Sequence, residues 1–162
     1  MVKHLPKKYS SGYTILEIIV AIFILVILFS AVSAGYRQYI LKRNLDSVKS
    51  QIISDIKLAQ EYAIAGKKPP DCDVLNGYIF STFITGNRYT LTADCTNDQI
   101  VKTVETSKLA TGINIQSDIV VIFKTMGMGT NIPVGSNRVI TLGQQTTGTT
   151  RTITITPGGE VR

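Results

Sequence analysis

The architecture of this 162-residue chain is decided by Gly12-Tyr13-Thr14-Ile15-Leu16-Glu17 and the uncharged run IIVAIFILVILFSAVSAGY at positions 18–36. As a helix this run spans about 29 Å, roughly the thickness of one bilayer hydrocarbon core. Glu17 places a carboxylate at the start of the apolar segment, and an unpaired charge at mid-membrane depth costs at least about 2.5 kcal/mol. We therefore expect Glu17 to have a partner.

The same stretch resembles the class III signal of type IV pilins and type II secretion pseudopilins. The family pattern is Gly-Phe-Thr-Leu-Ile/Leu-Glu, behind a short basic leader and before an apolar run. This chain has three lysines in its leader at residues 1–11 and departs from the pattern only in Tyr13 and Ile15. The resemblance implies a structural filament subunit that is not an enzyme.

The resemblance also implies roles for three residues. A prepilin peptidase would cut after Gly12 on the cytoplasmic side and methylate the new amine of Tyr13. Glu17 would attract the amine of a neighbouring subunit during assembly. The implied partners are that peptidase, membrane lipid before assembly, and other pilin or pseudopilin subunits through the N-terminal helix.

The N-terminal sequence also fits two other kinds of segment, a secretory signal and a plain membrane anchor. Val32-Ser33-Ala34 is a small-residue site at which an ordinary secretory signal would be cleaved, and the run would also serve as a plain single-pass anchor. A secretory apolar region is about 7 to 15 residues long, so this run is too long for it. Neither alternative explains Glu17.

Beyond the run, apolar residues recur at steps of three and four, which predicts an amphipathic helix. Polar residues, Asp55 among them, fall between these positions. No proline interrupts residues 13–65, so the two parts predict one helix of about fifty residues, ended by Gly66 and Pro69-Pro70. The apolar positions are Leu41, Leu45, Val48, Ile52, Ile56, Ala59 and Ala63.

The remaining residues predict short antiparallel strands, so the fold class is α+β: a long N-terminal helix packed against a C-terminal antiparallel β domain. Residues 78–84 and 89–93 predict a hairpin. With Gly86 and Asn87 as a two-residue turn, Cys95 would lie opposite Tyr78. Further strands are predicted at 99–106, 113–116, 118–124, 138–142 and 151–156.

These elements predict four segments. They are a leader (1–12), a membrane and assembly helix (13–36), the amphipathic outer half of that helix (37–66), and a β domain (69–162). The resemblance implies that the N-terminus lies on the cytoplasmic side of the membrane and the β domain on the outer side. After assembly the subunit would lie in an extracellular or periplasmic filament.

The chain has two cysteines, Cys72 and Cys95, both in the β domain. An even number in an outer domain predicts a disulfide in an oxidising compartment, although a buried free pair is the alternative. A bridge enclosing the intervening residues would stabilise the fold by about 3 kcal/mol in the chain-entropy model.

Charge and composition limit the kinds of catalysis and binding that this chain could carry out. The net charge is +6, but residues 69–162 carry seven basic and seven acidic side chains, so the β domain is neutral. The one histidine, His4, lies in the leader, which leaves the mature chain without histidine-based catalysis. We predict no metal and no cofactor. The aspartates at 71, 73, 94 and 98 would suit calcium only if they gathered, and solvated turns are the default reading.

The order of the last strands, ending in Gly158-Gly159-Glu160-Val161, is similar to that of GspH/FimT-like minor pilins and pseudopilins. Some FimT-like members are thought to bind DNA through Gly-Arg-x-Arg, where this chain has Gly159-Glu160-Val161-Arg162. The predicted function is therefore a minor pilin or pseudopilin of a type IV pilus or type II secretion filament. The alternative is a competence-type pilin that binds DNA with its outer domain.

Overall fold

The computed structural model describes residues 12–96 and 98–162, so the predicted leader up to residue 11 lies outside the described residues. The chain divides into two compact units, with the boundary between Gln38 and Tyr39. The predicted α+β class is confirmed: one long N-terminal helix is followed by antiparallel strands.

Helix α1 runs from Ile15 to Ile64, which confirms the prediction of about fifty helical residues. Thr14 directly precedes the helix, and its side-chain hydroxyl accepts a hydrogen bond from the Glu17 backbone N–H at 3.3 Å. This is an N-cap, because it satisfies one of the helix's unpaired N–H groups. Two residues beyond the helix, Gly66 has a φ of 58°, and the next N–H, that of Lys67, donates to the Tyr62 carbonyl at 3.0 Å. This is the Schellman arrangement that glycine at C′ favours.

In the second unit, α1 buries the predicted stripe against the strands. Six of the seven predicted positions are buried, and the first, Leu41, is partly exposed. Burying four large side chains of this stripe contributes about 6 to 12 kcal/mol. The buried positions are Leu45, Val48, Ile52, Ile56, Ala59 and Ala63.

Within residues 12–96 and 98–162, seven strands form two antiparallel sheets, in the orders β3-β2-β1-β5 and β4-β6-β7. The strands occur where the sequence predicts them, with small differences at their ends. A short helix α2 (Thr106–Leu109) and a 3-10 turn (Thr125–Gly127) were not predicted. The strands are β1 (Leu75–Phe83), β2 (Arg88–Cys95), β3 (Gln99–Glu105), β4 (Ile113–Ile115), β5 (Ile119–Lys124), β6 (Arg138–Gln144) and β7 (Thr150–Ile155).

The predicted register of the β1–β2 hairpin is wrong. Cys95 pairs with Leu75, not with Tyr78, which pairs with Ala93. The loop holds four residues, Ile84 to Asn87, closed by a hydrogen bond from the Asn87 N–H to the Ile84 carbonyl at 3.1 Å. Asn87 is the last residue of this loop and not a central one. Its side-chain amide donates to the Ile113 carbonyl and accepts from the Ile115 N–H of β4, each at 2.7 Å.

Ser117 joins the two sheets between β4 and β5. Its carbonyl accepts a hydrogen bond from the Thr82 hydroxyl of β1 at 2.7 Å, and its hydroxyl accepts the Thr141 N–H of β6 at 3.0 Å. One strand from each sheet, β1 and β6, thus bonds to this residue at the point where the chain passes from one sheet to the other.

Candidate functional site: the N-terminal assembly segment

The residues predicted to carry processing and assembly lie at the start of α1. Gly12 and Tyr13 precede the helix, and Tyr13 is 79% exposed. Glu17 occupies the third helical position, and its backbone N–H is held by both the carbonyl and the hydroxyl of Thr14. The sequence Thr-x-x-Glu is the pattern of a capping box, a local signal that sequence analysis missed.

The Glu17 carboxylate is exposed, and within residues 12–96 and 98–162 it has no hydrogen bond or ion pair. A carboxylate in the first turn of a helix is favoured by the helix dipole, so the local structure tolerates the charge there. The geometry leaves both carboxylate oxygens available to a cation.

Behind Glu17, every large apolar side chain from Ile15 to Phe29 is at least half exposed. The mean hydropathy of the most apolar part of α1 reaches 3.1, and none of that part is buried. In the described part of the chain, α1 is the one helix long and apolar enough to cross a membrane, by length and composition. A surface of this kind needs lipid or other protein to cover it.

A family model described as the prokaryotic N-terminal methylation motif matches residues 7–33. The motif marks the chain as type IV pilin-like or pseudopilin-like. Searches of curated proteins and of solved structures return no match. The matched residues contain Gly12, Tyr13, Glu17 and most of the apolar run, so the match covers the segment described above.

The match supports a coarse description of this pilin-like chain. The motif marks a family of structural subunits, which are not enzymes. It implies processing by a prepilin peptidase and assembly with other pilins. Together with the apolar part of α1, it fits a subunit anchored in the membrane by a single span.

In the second unit of this pilin-like chain, a disulfide joins Cys72 to Cys95, with the two Cα atoms 5.6 Å apart. Cys95 ends β2, and Cys72 lies on the loop between α1 and β1. Both are buried, at 8% and 6% exposure. The bridge ties the segment that leaves the helix to the base of the hairpin.

The second unit also contains a buried polar group that sequence analysis missed. Asp55 of α1 is 3% exposed. Its carboxylate accepts a hydrogen bond from the Tyr89 hydroxyl of β2 at 2.6 Å and pairs with the Lys102 ammonium of β3 at 2.7 Å. Burial, and then the hydrogen bond to Asp55 and its charge, raise the pKa of Tyr89 far above its usual value.

A sequence signal for Asp55 did exist. It lies three residues after Ile52 and four before Ala59, a spacing that puts it on the same face as the buried stripe. A carboxylate at such a position predicts a partner from the packed strands, because a buried charge must be paired. Its role here is structural.

The remaining candidates in the β domain do not assemble into a site. Within the described residues no group of three or more His, Cys, Asp and Glu side chains lies together, so the aspartates near the disulfide are not gathered for calcium. At the position of the DNA-binding pattern, the Arg162 guanidinium bonds both oxygens of Glu160 at 3.0 and 3.1 Å. This pairing lowers the pKa of Glu160 and neutralises the arginine locally.

Proposed function

We propose that the chain is a structural subunit of a type IV pilus or type II secretion filament, cut after Gly12, methylated on Tyr13, and polymerised through α1. One observation carries the proposal. Glu17 presents an unpartnered carboxylate, within the described residues, at the start of an exposed apolar helix and inside the matched methylation motif. In a bundle of such helices, the positively charged amine of Tyr13 from a neighbour would neutralise Glu17.

In finer terms, we place the subunit among the minor pilins and pseudopilins of the GspH/FimT-like group, on the order of its last strands. We place the β domain outside the cytoplasmic membrane. The Cys72–Cys95 disulfide supports this side, because such bonds persist in oxidising compartments. The paired Arg162 and the neutral charge of residues 69–162 give no support to the DNA-binding alternative.

The first test is mass spectrometry of the N-terminal peptide from protein isolated from its own membranes. The expected chain begins at Tyr13 with one added methyl group on its amine. A chain that begins after Ala34, or that retains Met1, would overturn the proposed processing.

The second test replaces Glu17 with alanine and measures the subunit in sheared filaments against the subunit in membranes. Glu61 offers a matched control, because it is an exposed carboxylate on the same helix. Glu17→Ala would leave the neighbour's Tyr13 amine buried without a counter-charge, at a cost of at least about 2.5 kcal/mol, so incorporation should fall at least tenfold. Glu61→Ala should assemble normally. Equal incorporation of both variants would remove the assigned role of Glu17.

A further inference from the structure

A cationic and aromatic surface begins where the second unit begins. Tyr39 is 60% exposed, and Lys42 and Arg43 are exposed on the following turn of α1. We call these three residues the collar. In the described part of the chain, neither collar cation has an ion pair.

Asp46, the acidic residue nearest to the collar in the sequence, already forms an ion pair with another residue. Between Glu17 and Asp55 the sequence has a single carboxylate, Asp46. Its oxygen lies 2.7 Å from the Arg151 guanidinium of β7. Arg151 of the β domain therefore neutralises Asp46. Lys42 and Arg43 are left without this carboxylate as a counter-charge.

The collar also lies at a defined distance along the helix. Arg43 follows the last residue of the apolar run, Tyr36, by seven positions, which is about 10 Å of helical rise. Headgroup layers begin where the hydrocarbon core ends and are several ångströms thick, and lysine and arginine side chains extend along the helix to reach them. Tyrosine at this depth is typical of the membrane interface.

We propose that the collar binds the phosphate groups of anionic phospholipids while the subunit waits in the membrane. This inference rests on the proposed function, because it requires the apolar part of α1 to be inserted. Lipid fits better than nucleic acid, since both cations lie within about 10 Å of helical rise of the apolar run, whereas residues 69–162 are neutral overall. The contact gives the inserted subunit a lipid preference that must be given up when it enters a filament.

The test uses the full chain in a mild detergent with equal amounts of phosphatidylglycerol and phosphatidylcholine. Native mass spectrometry counts the lipids retained by each variant. The unchanged chain should retain phosphatidylglycerol in clear preference. Lys42→Gln/Arg43→Gln should lower that preference about 25-fold, since each cation near an anionic surface gives about fivefold. Lys42→Arg/Arg43→Lys, which conserves the charge, should keep the preference within about twofold.

Lys57→Gln/Lys124→Gln is the matched control, because it removes two exposed cations that lie outside the collar. The control should keep the lipid preference. A loss equal to that of Lys42→Gln/Arg43→Gln would show a general charge effect and overturn the inference, as would equal retention of both lipids by the unchanged chain. Displacement of the lipid by excess inorganic phosphate, or binding of duplex DNA that depends on the collar while lipid preference does not, would also overturn it.

The readouts separate this inference from the proposed function. Normal cleavage after Gly12 and normal filament incorporation, without any lipid preference, would contradict lipid binding by the collar and leave the proposed function standing. Lipid preference in a chain that is never cleaved or assembled would defeat the proposed function and leave the collar as a membrane contact.

Discussion

Two aspartates of α1 provide a matched comparison of buried and exposed charge. Asp55 and Asp46 each pair with one cation at a distance of 2.7 Å. The side chain of Asp55 is 5% exposed, whereas that of Asp46 is 53% exposed. Replacing each with alanine makes the same chemical change on the same helix, so burial and the additional bond to Tyr89 are the main differences.

The expected costs differ by several kcal/mol. Asp55→Ala leaves the fully buried Tyr89 hydroxyl without its acceptor and Lys102 without its counter-charge. An unsatisfied buried hydroxyl costs about 1 to 3 kcal/mol, and breaking a buried ion pair costs about 3 to 5 kcal/mol. Because the Lys102 side chain is 38% exposed and regains water, we expect a loss of about 3 kcal/mol in the free energy of unfolding. Asp46→Ala should cost about 1 kcal/mol or less.

The assay is urea unfolding of residues 39–162, the second unit, followed by circular dichroism. The slope against urea should stay the same in both variants, so that a change of midpoint reports stability. A cycle that combines Asp55→Ala with Tyr89→Phe should show a coupling of at least about 1 kcal/mol. The reasoning fails if Asp46→Ala costs as much as Asp55→Ala, or if Asp55→Ala costs less than about 1 kcal/mol.

Two further predictions concern the second unit. The folded protein keeps the Tyr89 proton that the unfolded chain loses above its ordinary pKa of 10.0, so stability should fall as pH rises beyond that value. Between pH 9 and 11, Tyr89→Phe should lose about 1.4 kcal/mol less stability than the unchanged protein, and equal losses in urea titrations over that range would contradict the prediction. Cys72→Ala/Cys95→Ala should lower the free energy of unfolding by about 3 kcal/mol. Reductant should destabilise the unchanged protein similarly and leave the double variant unaffected.

What the sequence predicts well is local. The helix end at Gly66 and the buried stripe each depend on residues within one or two turns of helix, and the Gly12–Glu17 motif is contiguous. The predicted register of the β1–β2 hairpin is wrong because it depends on a distant contact. Its turn is shaped by Asn87, whose side chain binds a strand about 26 residues further along the chain.

Long-range contacts also explain why the sequence alone groups Asp55 with the polar residues between the apolar positions. Its partners lie 34 and 47 residues away, on two strands whose pairing must be known before the contact is visible. The division of the strands into two sheets is likewise set by long-range bonds at Ser117. Hydrophobic period reports which face is buried, but it carries no information about which strand covers it.

Asp55 also limits how α1 can lie on the sheet. An apolar stripe repeats every three or four residues, so sliding the helix by one turn would still bury apolar side chains. The same slide would move Asp55 away from Tyr89 and Lys102 and leave a charge buried without partners, which is costly. The network therefore favours one register of helix against strands. That register also brings Asp46 to Arg151, which neutralises the acid nearest to the collar in the sequence and leaves Lys42 and Arg43 available to an anionic surface.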